Sequence, residues 1–217
     1  MKIAVLGTGV VGTTIGSKLI EVGHEVKMGS RTANNVKASE WANNQGTKAS
    51  HGTFAEASAF GEIVFNCTSG AATLEVLKAA GEKNLGNKIL VDIANPLDFS
   101  NGMPPTLSVC NTTSLAEEIQ KTFPKVKVVK TLNTMWCGLM VNPGMINGGN
   151  HTVFLSGNDS DAKIQVGKIL ESFGWAKNNI MDLGGVESAR GPEMYLPLWL
   201  NIYGSTNNGA FNLQIVK

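Results

Sequence analysis

The sequence predicts an α/β fold: a doubly wound, mostly parallel sheet carrying a small C-terminal helical element. Strand-like apolar runs alternate with segments of helical spacing along most of the chain, the pattern of a sheet covered by helices on both faces. At 217 residues and 42% hydrophobic content, the chain can bury a full core. The first apolar run ends in a glycine-rich turn that opens a helix.

Taken in order, "KIAVLG" (2–7) is the first strand, and residues 12–22 follow with Val11, Ile15, Leu19 and Val22 at helical spacing. "HEVKMG" (24–29) alternates as a second strand, a polar helix covers about 33–44, and "TKAS" (47–50) is a weak third strand. "EIVFNCT" (62–68) reads as a buried strand, 71–80 as a helix and "KILVDIA" (88–94) as the next strand. After a loop rich in Pro, Gly and Asn, "SLAEEIQKTF" (114–123) is a helix whose Ser114 and Glu117 have capping-box spacing. Strands at 126–132, 152–157 and 180–183 and a capped helix at 160–173 complete the sheet layer. Residues 1–217 read as one domain, with 186–217 as a C-terminal helix and tail in which Pro197 introduces a kink.

Composition narrows the function. The net charge is +1, from 18 basic and 17 acidic residues, without long runs of one sign. That argues against a nucleic-acid partner or a polybasic membrane surface. The apolar runs fall far short of the roughly 18 residues a membrane span needs, and "MKIAVLG" reads as a strand and not as a signal peptide. Three scattered cysteines and three scattered histidines support neither a disulfide framework nor a metal site, and suit reduced thiols in the cytoplasm.

In this architecture ligands sit beyond the carboxyl ends of the strands. The first such place is "GTGVVG", where Gly7, Gly9 and Gly12 form a complete GxGxxG between strand and helix, a Rossmann-like dinucleotide signature. Gly7 allows the tight turn, Gly9 the approach of a pyrophosphate and Gly12 the packing of helix on sheet, while the amides of Thr8, Val10 and Val11 face the anion. At the end of the second strand, where an acid would hold the ribose of NAD, stand Gly29, Ser30, Arg31 and Thr32. A carboxylate there would repel a 2′-phosphate, whereas Arg31 can hold it through forked hydrogen bonds, with Ser30 and Thr32 adding hydroxyls. NADP(H) is the expected cofactor.

Cys67, Thr68, Ser69, Ala94 and Asn95 follow the fourth and fifth strands and line the nicotinamide half of the crevice. Asn95 reads equally as the opening of a turn before Pro96. Asp92, embedded in an apolar strand, fits a structural carboxylate better than a general base. Asn133, Met135 and Trp136 leave the sixth strand together and are candidates for binding a flat acceptor; a Met–Trp pair is as readily core. No catalytic side chain is assigned. The chain lacks Tyr-x-x-x-Lys, the Lys and Asn of hydroxyacid dehydrogenases and any nucleophile elbow. Hydride transfer between two heterocycles needs orientation more than an acid–base residue.

GTGVVG, GSRT after the second strand, NTMW after the sixth and the ending "SARGPEMYLPLWLNIYG" together resemble the NADP oxidoreductases dependent on coenzyme F-420, an 8-hydroxy-5-deazaflavin. The related reductase portion of the STEAP ferric and cupric reductases shares the pattern. The resemblance implies that Thr8, Val10 and Val11 hold the pyrophosphate, that Ser30 and Arg31 hold the 2′-phosphate, and that the deazaflavin lies near 67–72, 94–96 and 133–136. The chain departs from that family's pattern at Asn133, where His is usual, and at the small Gly70 and Ala71. The leading expectation is hydride transfer between NADP(H) and a small-molecule deazaflavin acceptor. The alternatives are an NADPH-dependent reductase of FMN, FAD, ferric iron or quinone, and an NADPH-binding redox sensor without turnover. The apolar stretch 192–217 predicts either a tail folded back as a strand or a homodimer burying the same helix twice.

Overall fold

The computed structural model describes residues 1–216. Its strands are β1 (Lys2–Leu6), β2 (Glu25–Ser30), β3 (Ala49–Thr53), β4 (Ile63–Asn66), β5 (Ile89–Asp92), β6 (Leu97–Asp98), β7 (Thr106–Leu107), β8 (Lys127–Thr131), β9 (Val153–Ser156) and β10 (Ile180–Asp182). The helices are α1 (Val10–Glu21), α2 (Val36–Gln45), α3 (Phe54–Phe60), α4 (Gly70–Ala80), α5 (Glu82–Leu85), α6 (Leu115–Thr122), α7 (Cys137–Val141), α8 (Ser160–Ser172), α9 (Arg190–Met194) and α10 (Leu196–Thr206).

Eight strands form one sheet in the order β10-β9-β8-β5-β4-β1-β2-β3. All neighbours are parallel except β8 and β9, which pair antiparallel with Lys130 opposite Ser156. The remaining two strands, β6 and β7, form a separate antiparallel hairpin. This is the predicted α/β class, a Rossmann-like, mostly parallel sheet.

The strand sequences explain why both faces are covered. In β1, Ile3 and Val5 join a core on one face with Ile15, Leu19, Trp41, Val166 and Trp175. Ala4 and Leu6 join the opposite core with Leu77, Leu90, Ile119 and Val186. Alternate residues point to opposite faces, so a strand apolar at every position needs a layer on each side. Each fully buried aliphatic side chain contributes about 1.5–3 kcal/mol.

Several boundaries differ from expectation. The third strand begins at Ala49 and runs to Thr53, later than "TKAS", because Thr53 then caps α3 in a full capping box with Glu56. At Ser114 the hydroxyl accepts from the Glu117 amide, but the Glu117 carboxylate turns to the Ser114 hydroxyl and Arg190 instead of the Ser114 backbone. The C-terminal helix breaks at Tyr195, which puts Pro197 in the first turn of α10, where its missing N–H costs nothing. The tail 207–216 folds back without forming a strand: the Leu213 carbonyl accepts from the Thr152 amide, and Phe211 stacks on Trp199.

The C-terminal element is tied to the sheet by buried charge. The Lys130 ammonium, on β8, lies 2.8 Å from Asp92 and 2.8 Å from Glu193, with all three side chains at most 1% exposed. Glu193, on α9, also accepts from the amides of Leu115 and Ala116 at 2.7 and 3.1 Å, the free donors of the α6 N-terminus. Removing one member of such a cluster leaves uncompensated buried charge. Glu193→Ala is therefore expected to lower the unfolding free energy by about 3–5 kcal/mol in a urea titration. A loss below about 1 kcal/mol would show that the cluster does not hold α9 and α6 to the sheet.

Candidate functional site

The predicted residues fall along the carboxyl edge of the sheet. β1 ends at Leu6, and Gly7 turns the chain at φ +115°, a conformation that excludes most side chains. A Cβ on Gly7 would meet the Cys67 carbonyl at 2.7 Å, and one on Gly12 would collide with the Gly7 carbonyl. Nothing lies within 4 Å of the position a Cβ would take on Gly9. That open space stands at the N-terminus of α1, which has no side-chain cap and no acidic residue in its first turn. Its first amides and the positive end of its dipole are thus presented to an anion. Thr8 is half-buried on the turn, and Val10 is exposed. These features fit a dinucleotide pyrophosphate.

At the end of β2, Arg31 and Thr32 are exposed, while Ser30 is buried. The Ser30 hydroxyl donates to the Thr32 carbonyl at 2.6 Å, so in this conformation it shapes the turn that displays Arg31. His51 Nδ1 lies 3.1 Å from the Ala33 carbonyl and supports the same loop. Asn35 then caps α2 by accepting from the Ala38 amide.

The other predicted residues line a single cleft of about 950 Å³. It takes in Val10, Val11, Cys67, Thr68, Ser69, Ala94, Asn95, Asn133, Met135 and Trp136. Gly7, Thr8, Gly9, Gly12, Ser30, Arg31 and Thr32 do not line it; of these Gly9, Arg31 and Thr32 are exposed, while Gly12 and Ser30 are buried. Asn95 is more than a turn opener. Its amide donates to the Asn133 carbonyl at 2.8 Å, and Asn133 Nδ2 donates back to Asn95 Oδ1 at 2.9 Å and to the Pro192 carbonyl at 3.1 Å. The two asparagines thus clamp the ends of β5 and β8 and fasten α9 to them.

Asp92 proves structural. It accepts from Asn66 at 2.7 Å and from Lys130, buried beneath the cleft and not lining it. Lys130 also donates to the Ala94 carbonyl. Burial, together with the negative charge of Asp92, pushes the Cys67 thiol well above its ordinary range, so it stays protonated and is no thiolate nucleophile. Among the described residues no three metal-ligating side chains gather, and no helix is long and apolar enough to cross a membrane.

Trp136 is 42% exposed, with its indole lying over Gly138, where any Cβ would overlap the ring. Met135 is buried behind it. Walls unforeseen in the sequence come from Leu97 and Phe99 at the hairpin, Leu115 on α6, and Leu196 and Trp199 on α10. Leu132 takes φ +62°, a strained value for leucine, and turns the chain so that Asn133 and its neighbours enter the site.

Residues 2–96 match the model of a family described as "NADP oxidoreductase coenzyme F420-dependent". A protein from Arthrobacter sp. FB24, provisionally described as an F420-dependent NADP-reductase, has 49% sequence identity. Each chain is covered in full, with a TM-score of 0.94. A hypothetical protein from Sinorhizobium meliloti (22% identity, 87% of each chain, TM-score 0.72) shares the fold. So does the Streptomyces aurantiacus imine reductase (18% identity, 95% of this chain and 63% of that one, TM-score 0.66). No curated protein matches the sequence. A glycine loop open to a pyrophosphate and a full-length relative at this identity lead to one assignment: the chain belongs to the family of coenzyme F420-dependent NADP oxidoreductases and is an NADP-dependent oxidoreductase.

Proposed function

We propose that this oxidoreductase transfers hydride between NADP(H) and a deazaflavin of the coenzyme F420 type. The observation that carries this reading is an aromatic-walled cleft, with Phe99, Trp136 and Trp199, that reaches the first turn of α1 through Val10 and Val11. When bound, NADPH supplies a hydride from C4 of its nicotinamide. The α1 amides and Arg31 would fix the phosphates, while the Asn95–Asn133 clamp fixes the backbone around the ring site. Trp136, seated on Gly138, offers a face for stacking a flat acceptor, and the apolar walls exclude water. Rate then comes from orientation of two rings.

Stopped-flow mixing with NADPH and each of 5-deazariboflavin, FMN and FAD tests the reading, with oxidation expected for the deazaflavin. Binding of NADPH without oxidation by any of the three would overturn it. For the donor, Arg31→Ala is expected to weaken NADPH binding about 10-fold or more while leaving NADH binding unchanged. An intact preference for NADPH in that variant would remove Arg31 from the 2′-phosphate site.

We also infer a homodimer built on α10, in keeping with a cytoplasmic protein whose three cysteines are free. Only Leu196 of α10 is buried, although the helix carries Leu198, Trp199, Leu200, Ile202 and Tyr203. Leu198 and Tyr203 are 54% and 45% exposed, an apolar face suited to a twofold partner. Light scattering at micromolar concentration is expected to give twice the 22.9 kDa chain mass. A single-chain mass would rule the dimer out.

A further inference from the structure

Trp136 and Trp199 both line the cleft, and both rest on the C-terminal tail. The two core tryptophans are fixed through their indole N–H groups: Trp41 donates to the Ser17 hydroxyl and Trp175 to the Met140 carbonyl, each at 3.0 Å. The Trp199 N–H is also buried, yet it meets no acceptor among the described residues. Stacking orients its ring instead, on Tyr203 at 5.4 Å and on Phe211 at 5.3 Å between centroids. Trp136 covers Gly138 with its six-membered ring, and the base of its side chain meets Gly209. A Cβ added to Gly209 would stand 3.3 Å from the Trp136 Cβ and 3.7 Å from the Trp199 ring. Residues 209–211 therefore back both aromatic walls.

The tail is held in turn by His151 and Thr152, which precede β9. Asn212 Nδ2 donates to His151 Nδ1 at 2.8 Å and to the Thr152 carbonyl at 2.9 Å. The Thr152 amide donates to the Leu213 carbonyl at 2.8 Å, and the Thr152 hydroxyl accepts from the Ile215 amide at 3.2 Å. His151 is buried, with its ring edge-on to Trp175 and Nε2 at 2.9 Å from the Pro143 carbonyl. A carbonyl only accepts, so Nε2 carries the proton and Nδ1 is left to accept from Asn212. The Asn212 amide has one orientation for a similar reason, since exchanging its oxygen and nitrogen would set oxygen against the Thr152 carbonyl. Its Oδ1 is enclosed without a donor, a cost that the two Nδ2 bonds offset. The side chain thus serves through its two N–H groups.

We propose that Asn212 is a positioning residue for the acceptor: by latching the tail to His151 and Thr152, it seats Gly209 and Phe211 behind Trp136 and Trp199 and so fixes the surface on which a flat acceptor stacks. Asn212 does not line the cleft, and its effect passes through the two tryptophans. The phosphate loop and Arg31 belong to other elements, at the start of α1 and the end of β2. The latch therefore bears on the acceptor and not on the donor's phosphates. The inference rests on the hydride-transfer reading for the identity of the acceptor, but the hold of the tail on Trp136 can be measured without turnover.

The test uses the full chain with Asn212→Ala and with Asn212→Asp, which keeps the side-chain volume but removes both N–H donors. For each variant the KM for 5-deazariboflavin is read at saturating NADPH, the NADP⁺ dissociation constant by titration, and amide hydrogen exchange by mass spectrometry. Both variants should raise the KM for 5-deazariboflavin about 3- to 10-fold and leave the NADP⁺ constant within about 2-fold of the parent chain. Exchange should quicken at Leu139 and Met140, whose amides bond to the Trp136 carbonyl, and stay unchanged at Ile15 and Leu19 in α1. An unchanged KM, an equal rise in both constants, or exchange that is unaltered at Leu139 and Met140 or faster throughout would overturn the proposal. An effect of Asn212→Ala that Asn212→Asp does not share would also overturn it, because packing and not the donors would then be responsible. Failure of the parent chain to oxidise NADPH with 5-deazariboflavin would instead sink the hydride-transfer reading, and the exchange pattern would then decide the latch by itself.

Discussion

From β8, Lys130 reaches into a space closed to water, where its ammonium meets Asp92, Glu193 and the Ala94 carbonyl. Burial alone pulls a lysine's pKa down. Here the two carboxylates outweigh it, and the net shift is upward. A raised ammonium keeps its contribution fully below the ordinary lysine range and loses it only as pH climbs through the still higher folded value, so the contribution of Lys130 does not change near neutrality. Each partner carries a piece of the site. Asp92 ends β5 beneath the cleft, Ala94 and Leu115 line it, and Glu193 precedes the helix that supplies Leu196 and Trp199. The Asn133–Pro192 bond, the Arg190–Glu117 pair, the Ser188–Ser156 and Leu213–Thr152 hydrogen bonds and apolar packing add to the cluster's hold on the C-terminal element.

The same economy shapes the cleft itself. Close backbone approach at Gly7 sets the phosphate loop against the Cys67 carbonyl after β4, Gly12 lets α1 close on the Gly7 carbonyl, and Gly138 yields its side-chain space to the Trp136 indole. Small residues therefore set distances, and large ones supply surface. Arg31 is exposed at the end of β2, and the carboxylates Glu75, Asp98 and Glu118 stand on the cleft walls. Such a site can orient two rings without a titrating group between them.

Much of this was legible in the chain. The GxGxxG was legible because it stands between a strand and a helix, and the structure gives it the open turn at Gly7 and Gly9 that the motif requires. The strand-exit residues 67–69, 94–95, 133, 135 and 136 reach one cleft for the topological reason that parallel strands end on one edge. What stayed hidden depended on tertiary pairing. Lys130 in "VKVVKT" reads only as part of a strand, and nothing local tells that Asp92 and Glu193 close on it. The reversal of β9 against β8 left no mark because a short buried strand reads alike in either direction. Ser30 looked like a phosphate ligand, yet its proton is spent on the Thr32 carbonyl, a bond set by the turn. The walls from α6, the hairpin and α10 were invisible for a similar reason: apolar residues at element ends read as core until the packing leaves a gap between them.

The central claim is direct hydride transfer by positioned rings, without a protein acid or base. Its most direct test uses NADPH deuterated at C4 on the transferred face, mixed with 5-deazariboflavin in ordinary water, followed by mass and proton spectra of the product. Carbon-bound label at C5 of the deazaflavin does not wash out, so the account predicts essentially complete transfer of deuterium to that carbon. Protium from solvent at C5 in its place would contradict it.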